Sequence, residues 1–186
     1  MSRAYLLGAL HDGTIRPRTI RISQREERYV LFLKRLVNRL GSRAWTYRAG
    51  KGRNLFVVEF SRSVLEGSAI LTWENKLDYA RGYFDAEGGV PASSAAEPYL
   101  YFAQKSRGDL EELRRILEQL RISCGQIHNP SHQVAPDYWR FYVSRKSIPR
   151  FATIVGSWHP RIIQDSERNG PRANSDSLVV YVFCSE

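Results

Sequence analysis

The stretch Asp78–Gly89, DYARGYFDAEGG, runs an apolar segment directly into two acids, Asp85 and Glu87, and then a glycine pair. Read as a helix, it ends where unpaired carbonyls and the negative end of the macrodipole disfavour carboxylates. Helix stability alone therefore does not account for the acids. A second stretch, AYLLGALHDGT from Ala4, repeats the design: an apolar run, an acid at Asp12, then Gly13.

With these two stretches as anchors, the chain falls into two parallel series. TIRPRTIRISQRE follows Asp12 and reads as two short strands around Pro17; GGVPASSAAEPYLYFAQKS follows Glu87 and reads as strand, turn, strand. Each series then reaches a Gln-basic pair, Gln24-Arg25 and Gln104-Lys105, and an amphipathic helix. Tyr29, Leu33, Leu36 and Leu40 mark the first helix, ended by Gly41; Leu110, Leu113, Leu117 and Leu120 mark the second. RAWTYRAGKGRNLFVVEFSR and GQIHNPSHQVAPDYWRFYVSR each read as two strands around a polar loop, closing on Ser-Arg. A further apolar segment, SVLEGSAIL or SIPRFATIVGSW, completes each series. Gln24 to Ser61 is 37 residues and Gln104 to Ser144 is 40, so one αββαββα unit is expected twice. The expected organisation is residues 1–75, residues 76–160 and a tail over 161–186.

Size and charge narrow the class. The 186 residues can bury a core, and no apolar run is long enough to span a membrane. Cys124 and Cys184 fit no metal spacing and read as reduced thiols. No secretory layout opens the chain, so the expected setting is a prokaryotic cytoplasm, an archaeal one included. The formal charge is +9; of 28 basic residues five are Lys and 23 are Arg. Arginine's planar fork grips phosphate and guanine edges, which points to nucleic acid; surface ion pairs of a thermophile are the alternative.

A duplicated unit commonly packs about a pseudo-twofold axis. Pairing of the two motif helices there would bring Asp12 and Glu87 side by side, and two close carboxylates need a cation between them. Mg²⁺ suits carboxylates combined with water and phosphate oxygens. Small motif glycines would let the two helices approach closely.

GYFDAEG resembles the motif that names the LAGLIDADG homing endonucleases, and the duplicated αββαββα unit is similar to that family's fold; the likeness runs over residues 4–158. The resemblance implies an α+β fold with a concave DNA-binding saddle around two packed helices. It implies a monomeric, Mg²⁺-dependent enzyme that cuts double-stranded DNA at a long pseudo-palindromic site. Mn²⁺ would substitute and Ca²⁺ would support binding alone. No intein signature is visible, so an intron-encoded free enzyme is expected.

By the same resemblance, Glu87 is a metal-binding acid five residues after Gly82, and Asp12 is its counterpart. The backbone carbonyls of Gly13 and Gly88, beside the acids, are further candidate ligands. Gly8 lies only four residues before Asp12, so Leu7 falls where the family has a small residue, which bears on how the first helix packs. Asp85 reads as a capping or supporting acid, not a third ligand. Gln24 and Gln104 would orient the attacking water; Arg25, Lys105 and Arg28 would neutralise charge at the phosphate, with Arg107 a looser counterpart of Arg28.

On the strands, Ile15, Ile20 and Ile22 are expected in the core, leaving Arg16, Arg18 and Arg21 for DNA. Arg43, Arg48, Lys51 and Arg53 are the analogous candidates in the next strand pair, with Tyr47 stacking or packing. In the second series Asn129, Ser131, His132, Gln133 and Arg140 suggest readout by hydrogen bonding. His128 and His132 are separated by Asn129-Pro130, which breaks helical presentation of a zinc pair. His11 reads as a packing residue. The tail begins with a loop-like run after Ile162 and ends in LVVYVF, an edge strand or packing segment.

Four other readings compete. A cleavage-dead DNA binder would have lost its acids, and both are present. A maturase assisting intron RNA splicing would use the same basic surface. A transcription regulator would need a helix-turn-helix for which no room is evident. An unrelated basic protein would leave the duplication unexplained.

Overall fold

The computed structural model describes residues 2–50, 52, 54–90 and 99–162. These divide into two compact units, one drawn from Met1–Ala86 with His159–Arg161, the other from Glu87–Trp158 with Ile162–Glu186.

In the first unit Ser2 caps α1 (Arg3–Ala9) by accepting from the Ala4 N–H, and a 3₁₀ turn, Leu10–Asp12, continues it. Then come β1 (Gly13–Ile15), β2 (Thr19–Gln24), α2 (Glu27–Arg39), β3 (Ala44–Arg48) and β4 (Phe56–Ser61). The strands form one antiparallel sheet in the order β1-β2-β4-β3. The helical spacing of Tyr29, Val30, Leu33, Leu36 and Val37 gives α2 an apolar stripe that packs on β2, β3 and β4, burying Ile20, Ile22, Val58 and Phe60. Each such fully buried side chain contributes about 1.5–3 kcal/mol of hydrophobic stabilisation. Gly41, at φ +82°, takes the left-handed turn after the helix at little cost. The long helix α3 (Trp73–Glu87) follows.

The second unit pairs β5 (Gly88–Gly89), β6 (Tyr101–Gln104) and β7 (Trp139–Tyr142) in that order, all antiparallel. Helix α4 (Arg107–Gln119) buries Leu110, Leu113, Ile116 and Leu117 in a core shared with Phe102 and Phe141. Ser106 caps it, accepting from the Asp109 N–H at 3.3 Å. Helix α5 (Ile148–Ile154) follows β7 in this unit.

Three expectations are corrected. The first series does not end in a helix: SVLEGSAIL holds one 3₁₀ turn, Arg62–Leu65, and Gly67 at φ +68° breaks the chain away. In the second series GQIHNPSHQVAPDYWRFYVSR yields one regular strand, β7, plus single bridges Cys124↔Val143 and His128↔Arg140. Pro130 and Pro136 lack the N–H groups a ladder needs, and Asn129 turns the loop by donating to the Ala135 and Pro136 carbonyls. Ile15 is not core but 59 % exposed. It pairs with the buried Ile20, yet it stands at the end of a three-residue edge strand, on the rim of an open groove of about 560 Å³. Lys51, Arg53, the turn over 91–98, Cys184 and the tail segment LVVYVF lie outside the described residues. Among the described residues no helix is long and apolar enough to cross a membrane.

Candidate metal centre and nucleic-acid interface

The site begins with a helix crossing that only glycine permits. Gly8 of α1 and Gly82 of α3 face each other so closely that a Cβ on Gly8 would strike the Tyr79 carbonyl oxygen and the Tyr83 N–H. A Cβ on Gly82 would strike the Tyr5 carbonyl oxygen. Gly8, not Leu7, is thus the small contact residue of the first motif. The missing residue before Asp12 is absorbed by the 3₁₀ turn. Five α-helical residues from Gly82 to Glu87 rise about 7.5 Å; one α-helical and three 3₁₀ residues from Gly8 to Asp12 rise about the same.

Each motif acid meets the glutamine that ends a nearby strand. The Gln24 side-chain amide donates to Asp12 Oδ2. The Gln104 amide donates to Glu87 Oε1 at 3.1 Å. Gln104 is oriented further: its Oε1 accepts the Lys105 backbone N–H at 2.7 Å, which turns its NH₂ toward Glu87. Asp12 is exposed at its surface, yet the protein packed around its carboxyl disfavours the ionised form and pushes it up to about 6. Lys105 pairs with Asp137 at 3.2 Å, both largely exposed, so the bond is weak and easily exchanged. Arg25 and Arg28 are exposed; the Arg28 backbone N–H donates to Glu26. Gly13 and Gly88 begin β1 and β5, directly after the acids.

Asp85 lies deeper than the half-buried Glu87. It is buried and accepts from the Tyr5 hydroxyl at 2.5 Å, and the Tyr29 hydroxyl lies 3.1 Å from that of Tyr5. Burial, reinforced by the Asp85 carboxylate, holds both phenols well above their ordinary pKa, so both stay neutral. One acid of the motif therefore ties α1 and α2 to α3. His11 packs against Tyr83 at 3.9 Å between ring centres, with its Nε2 3.0 Å from the Tyr79 hydroxyl, as a packing residue should.

The two sheets present different open faces. Cross-strand register places Arg21, Glu59 and Trp45 together on the face of the first sheet turned away from α2, with Ser23, Val57 and Tyr47 beside them. Glu59, absent from the sequence expectations, is 7 % exposed and accepts from Thr19 Oγ1 at 2.6 Å, Tyr47 hydroxyl at 2.8 Å and Arg16 Nη1 at 3.3 Å. The Thr19 hydrogen bond is the largest cause that lowers its carboxyl below the usual range. Arg18 lies in the Pro17 turn on the wall of the open groove, Arg43 precedes β3, and Arg48 lies over Phe56 on the side that α2 covers. In the second unit Tyr99, Tyr101 and Tyr142 form an aromatic cluster with centroids 6.0–6.1 Å apart. The Tyr101 ring lies over Gly89, where a Cβ would meet it. Arg140 sits 5.3 Å above Tyr142, and its Nε is 3.5 Å from His128 Nε2. Asn129 shapes its loop, and Ser131, His132 and Gln133 are exposed there. Alternation of Tyr101 and Tyr142 with the buried Phe102 and Phe141 was the available signal for the tyrosines.

Residues 74–156, from the first turn of α3 to just past α5, match the family model described as a LAGLIDADG-like domain. The mixed helix-and-sheet arrangement is also that of solved LAGLIDADG structures. The chain has the LAGLIDADG fold. A solved structure of mesophilic variants of the homing endonuclease I-DmoI aligns over 84 % of this chain and 90 % of its own, with a TM-score of 0.62 and 18 % identity. Full-length DUF199/WhiA from Thermatoga maritima aligns over 94 % of this chain and 62 % of its own, with a TM-score of 0.66 and 17 % identity. In sequence, the chain is 25 % identical to homing endonuclease I-ApeI from Aeropyrum pernix, over 84 % of this chain and 81 % of that protein. The resemblance carried by GYFDAEG and by the duplicated unit therefore stands.

Proposed function

We propose that the protein is a site-specific double-strand DNA endonuclease, with divalent cation bound at Asp12 and at Glu87. The observation that carries the reading is the recurrence of one pair: a carboxylate ending a motif helix, hydrogen-bonded by the glutamine that ends a strand of the same unit, Asp12 with Gln24 and Glu87 with Gln104. The relatives agree in kind. I-ApeI and I-DmoI are homing endonucleases, and I-DmoI has been crystallised with DNA and Mn and with DNA and Ca. Fold alone would not suffice, because DUF199/WhiA shares it.

The donor set fits a hard cation. Among the described residues no group of three or more His, Cys, Asp and Glu gathers. Carboxylates completed by the Gly13 and Gly88 carbonyls, water and phosphate suit Mg²⁺ better than zinc, with Mn²⁺ as a substitute. A carboxyl pushed up to about 6 also gains from a neighbouring cation, which holds it ionised. When bound, the cation activates water and offsets charge at the phosphate. The chain's own residues do the rest. Gln24 and Gln104 fix the carboxylates and orient water, while Arg25, Arg28 and Lys105 stand as exposed cations for the phosphate. Arg16, Arg18, Arg21, Arg43 and Arg140 serve the duplex. One chain carries both motifs, so the enzyme acts as a monomer on a long, pseudo-palindromic site.

Selection from a random duplex library, for binding in Ca²⁺ and then for cutting in Mg²⁺, tests this. One long sequence cut on both strands is the expected outcome. Enrichment without cutting would leave a DNA binder, and no enrichment would turn the reading toward structured intron RNA.

A further inference from the structure

A buried carboxylate at the centre of a surface meant for DNA needs a reason, since it repels phosphate. Glu59 accepts from Arg16, Thr19 and Tyr47, which uses three of its roughly four acceptor positions. Its side chain is 9 % exposed, too covered to read a base itself, whereas Arg16 is 44 % exposed. Arg21 stands directly opposite Glu59 in the register, with its guanidinium 5.8 Å from the Tyr47 ring. Among the described residues the buried Arg21 Nε has no hydrogen-bond partner, so it is a donor held ready and unmatched. Tyr47 is thus fixed at its hydroxyl by Glu59 while its ring flanks Arg21.

We propose that Glu59 is a specificity-determining positioning residue, which restrains Arg16 and, through Tyr47, aims Arg21 at base edges instead of backbone phosphates. This rests on the DNA-binding reading above. A guanidinium held by a carboxylate gives little of the sequence-independent phosphate attraction, and a planar fork held in place can bond a guanine edge bidentately. Selectivity rises because non-specific affinity falls.

The test compares wild type with Glu59→Gln, which keeps the shape and loses the charge. Affinity is measured over a salt series on a random duplex and on the selected site. With Arg16 released to phosphate, log K against log salt on random duplex steepens by about 0.9, one further phosphate contact. The ratio of specific to non-specific affinity falls on the order of 10-fold, and base preference is lost at one or two adjacent positions. An unchanged slope and ratio in a folded Glu59→Gln protein overturn the proposal. Should Glu59→Gln fail to fold, Tyr47→Phe leaves the Glu59–Arg16 pair in place: the ratio falls with the slope unchanged, and an unchanged ratio overturns the proposal. If wild type prefers no duplex sequence, the endonuclease reading fails instead. The slope on random duplex then decides the Arg16 restraint on its own.

Discussion

From Gly8 to Asp12 is four residues; from Gly82 to Glu87 is five. In the second motif α-helix continues to the acid, and in the first the chain tightens into a 3₁₀ turn over Leu10–Asp12. The rise from glycine to acid is nonetheless about equal, because a 3₁₀ residue advances about 2.0 Å against 1.5 Å. What the two motifs keep in common is a distance along an axis, not a count of residues. The ends differ in their support. Gln104 is locked by the Lys105 N–H, and Asp12 carries a carboxyl displaced to about 6.

The largest expected effect tests whether the two acids are equivalent. Asp12→Asn and Glu87→Gln should each abolish cutting of both strands in Mg²⁺ while leaving binding in Ca²⁺ intact. Full cutting by either variant refutes the shared role. Next, Gln24→Ala and Gln104→Ala should each slow cutting by about 10–100-fold, as loss of a group orienting a ligand does. Nicked duplex should accumulate, with a different strand cut first in each variant; equal slowing of both strands would show that the two glutamine–acid pairs do not serve separate strands.

Stability probes the helix crossing. Gly8→Ala and Gly82→Ala should each cost about 1–3 kcal/mol in urea unfolding, since the added methyl meets backbone that cannot yield easily. A neutral result at Gly8 alone would mean that the first helix adjusts.

The displaced Asp12 carboxyl predicts a pH signature in metal-free protein. Its folded pKa, about 6, lies above the ordinary aspartate value, so between the two the folded chain holds a proton that the unfolded chain has lost. Stability therefore falls as pH rises through that window. Asp12→Asn should melt higher than wild type at pH 7, and the gain should vanish near pH 4. A gain independent of pH excludes the carboxyl as its source.

The smallest effect compares the ends of α2 and α4. Gly41 has φ +82°, and Arg121, at the matching place, has φ +59°. Gly41→Ala should destabilise by about 1 kcal/mol, and Arg121→Gly should stabilise by less than that, because added unfolded-state freedom offsets part of the relief. Loss of stability in Arg121→Gly would indicate that the arginine side chain contributes more than its backbone strain costs.

Much of the molecule is legible in its sequence. Helices α2 and α4 follow from periodic leucines, β1 and β2 from β-branched residues around Pro17, and the acid-ended motifs from their recurrence. These are local signals, carried within a dozen or so residues. Where expectations failed, local pattern was outvoted. SVLEGSAIL is apolar enough for a helix but is cut by Gly67, and Ile15 follows the alternation of its strand without a helix above it.

The chain by itself determined its duplication, its basic surface and the identity of the two motif acids, because periodicity, net charge and repetition are properties of order along a polymer. Tertiary structure alone decided which acids are exposed and which are buried. Asp85 is taken up by Tyr5, 80 residues away, and Glu59 by Thr19, 40 residues away. A carboxylate's role depends on the donors and the dielectric around it, and folding brings those from elsewhere in the chain.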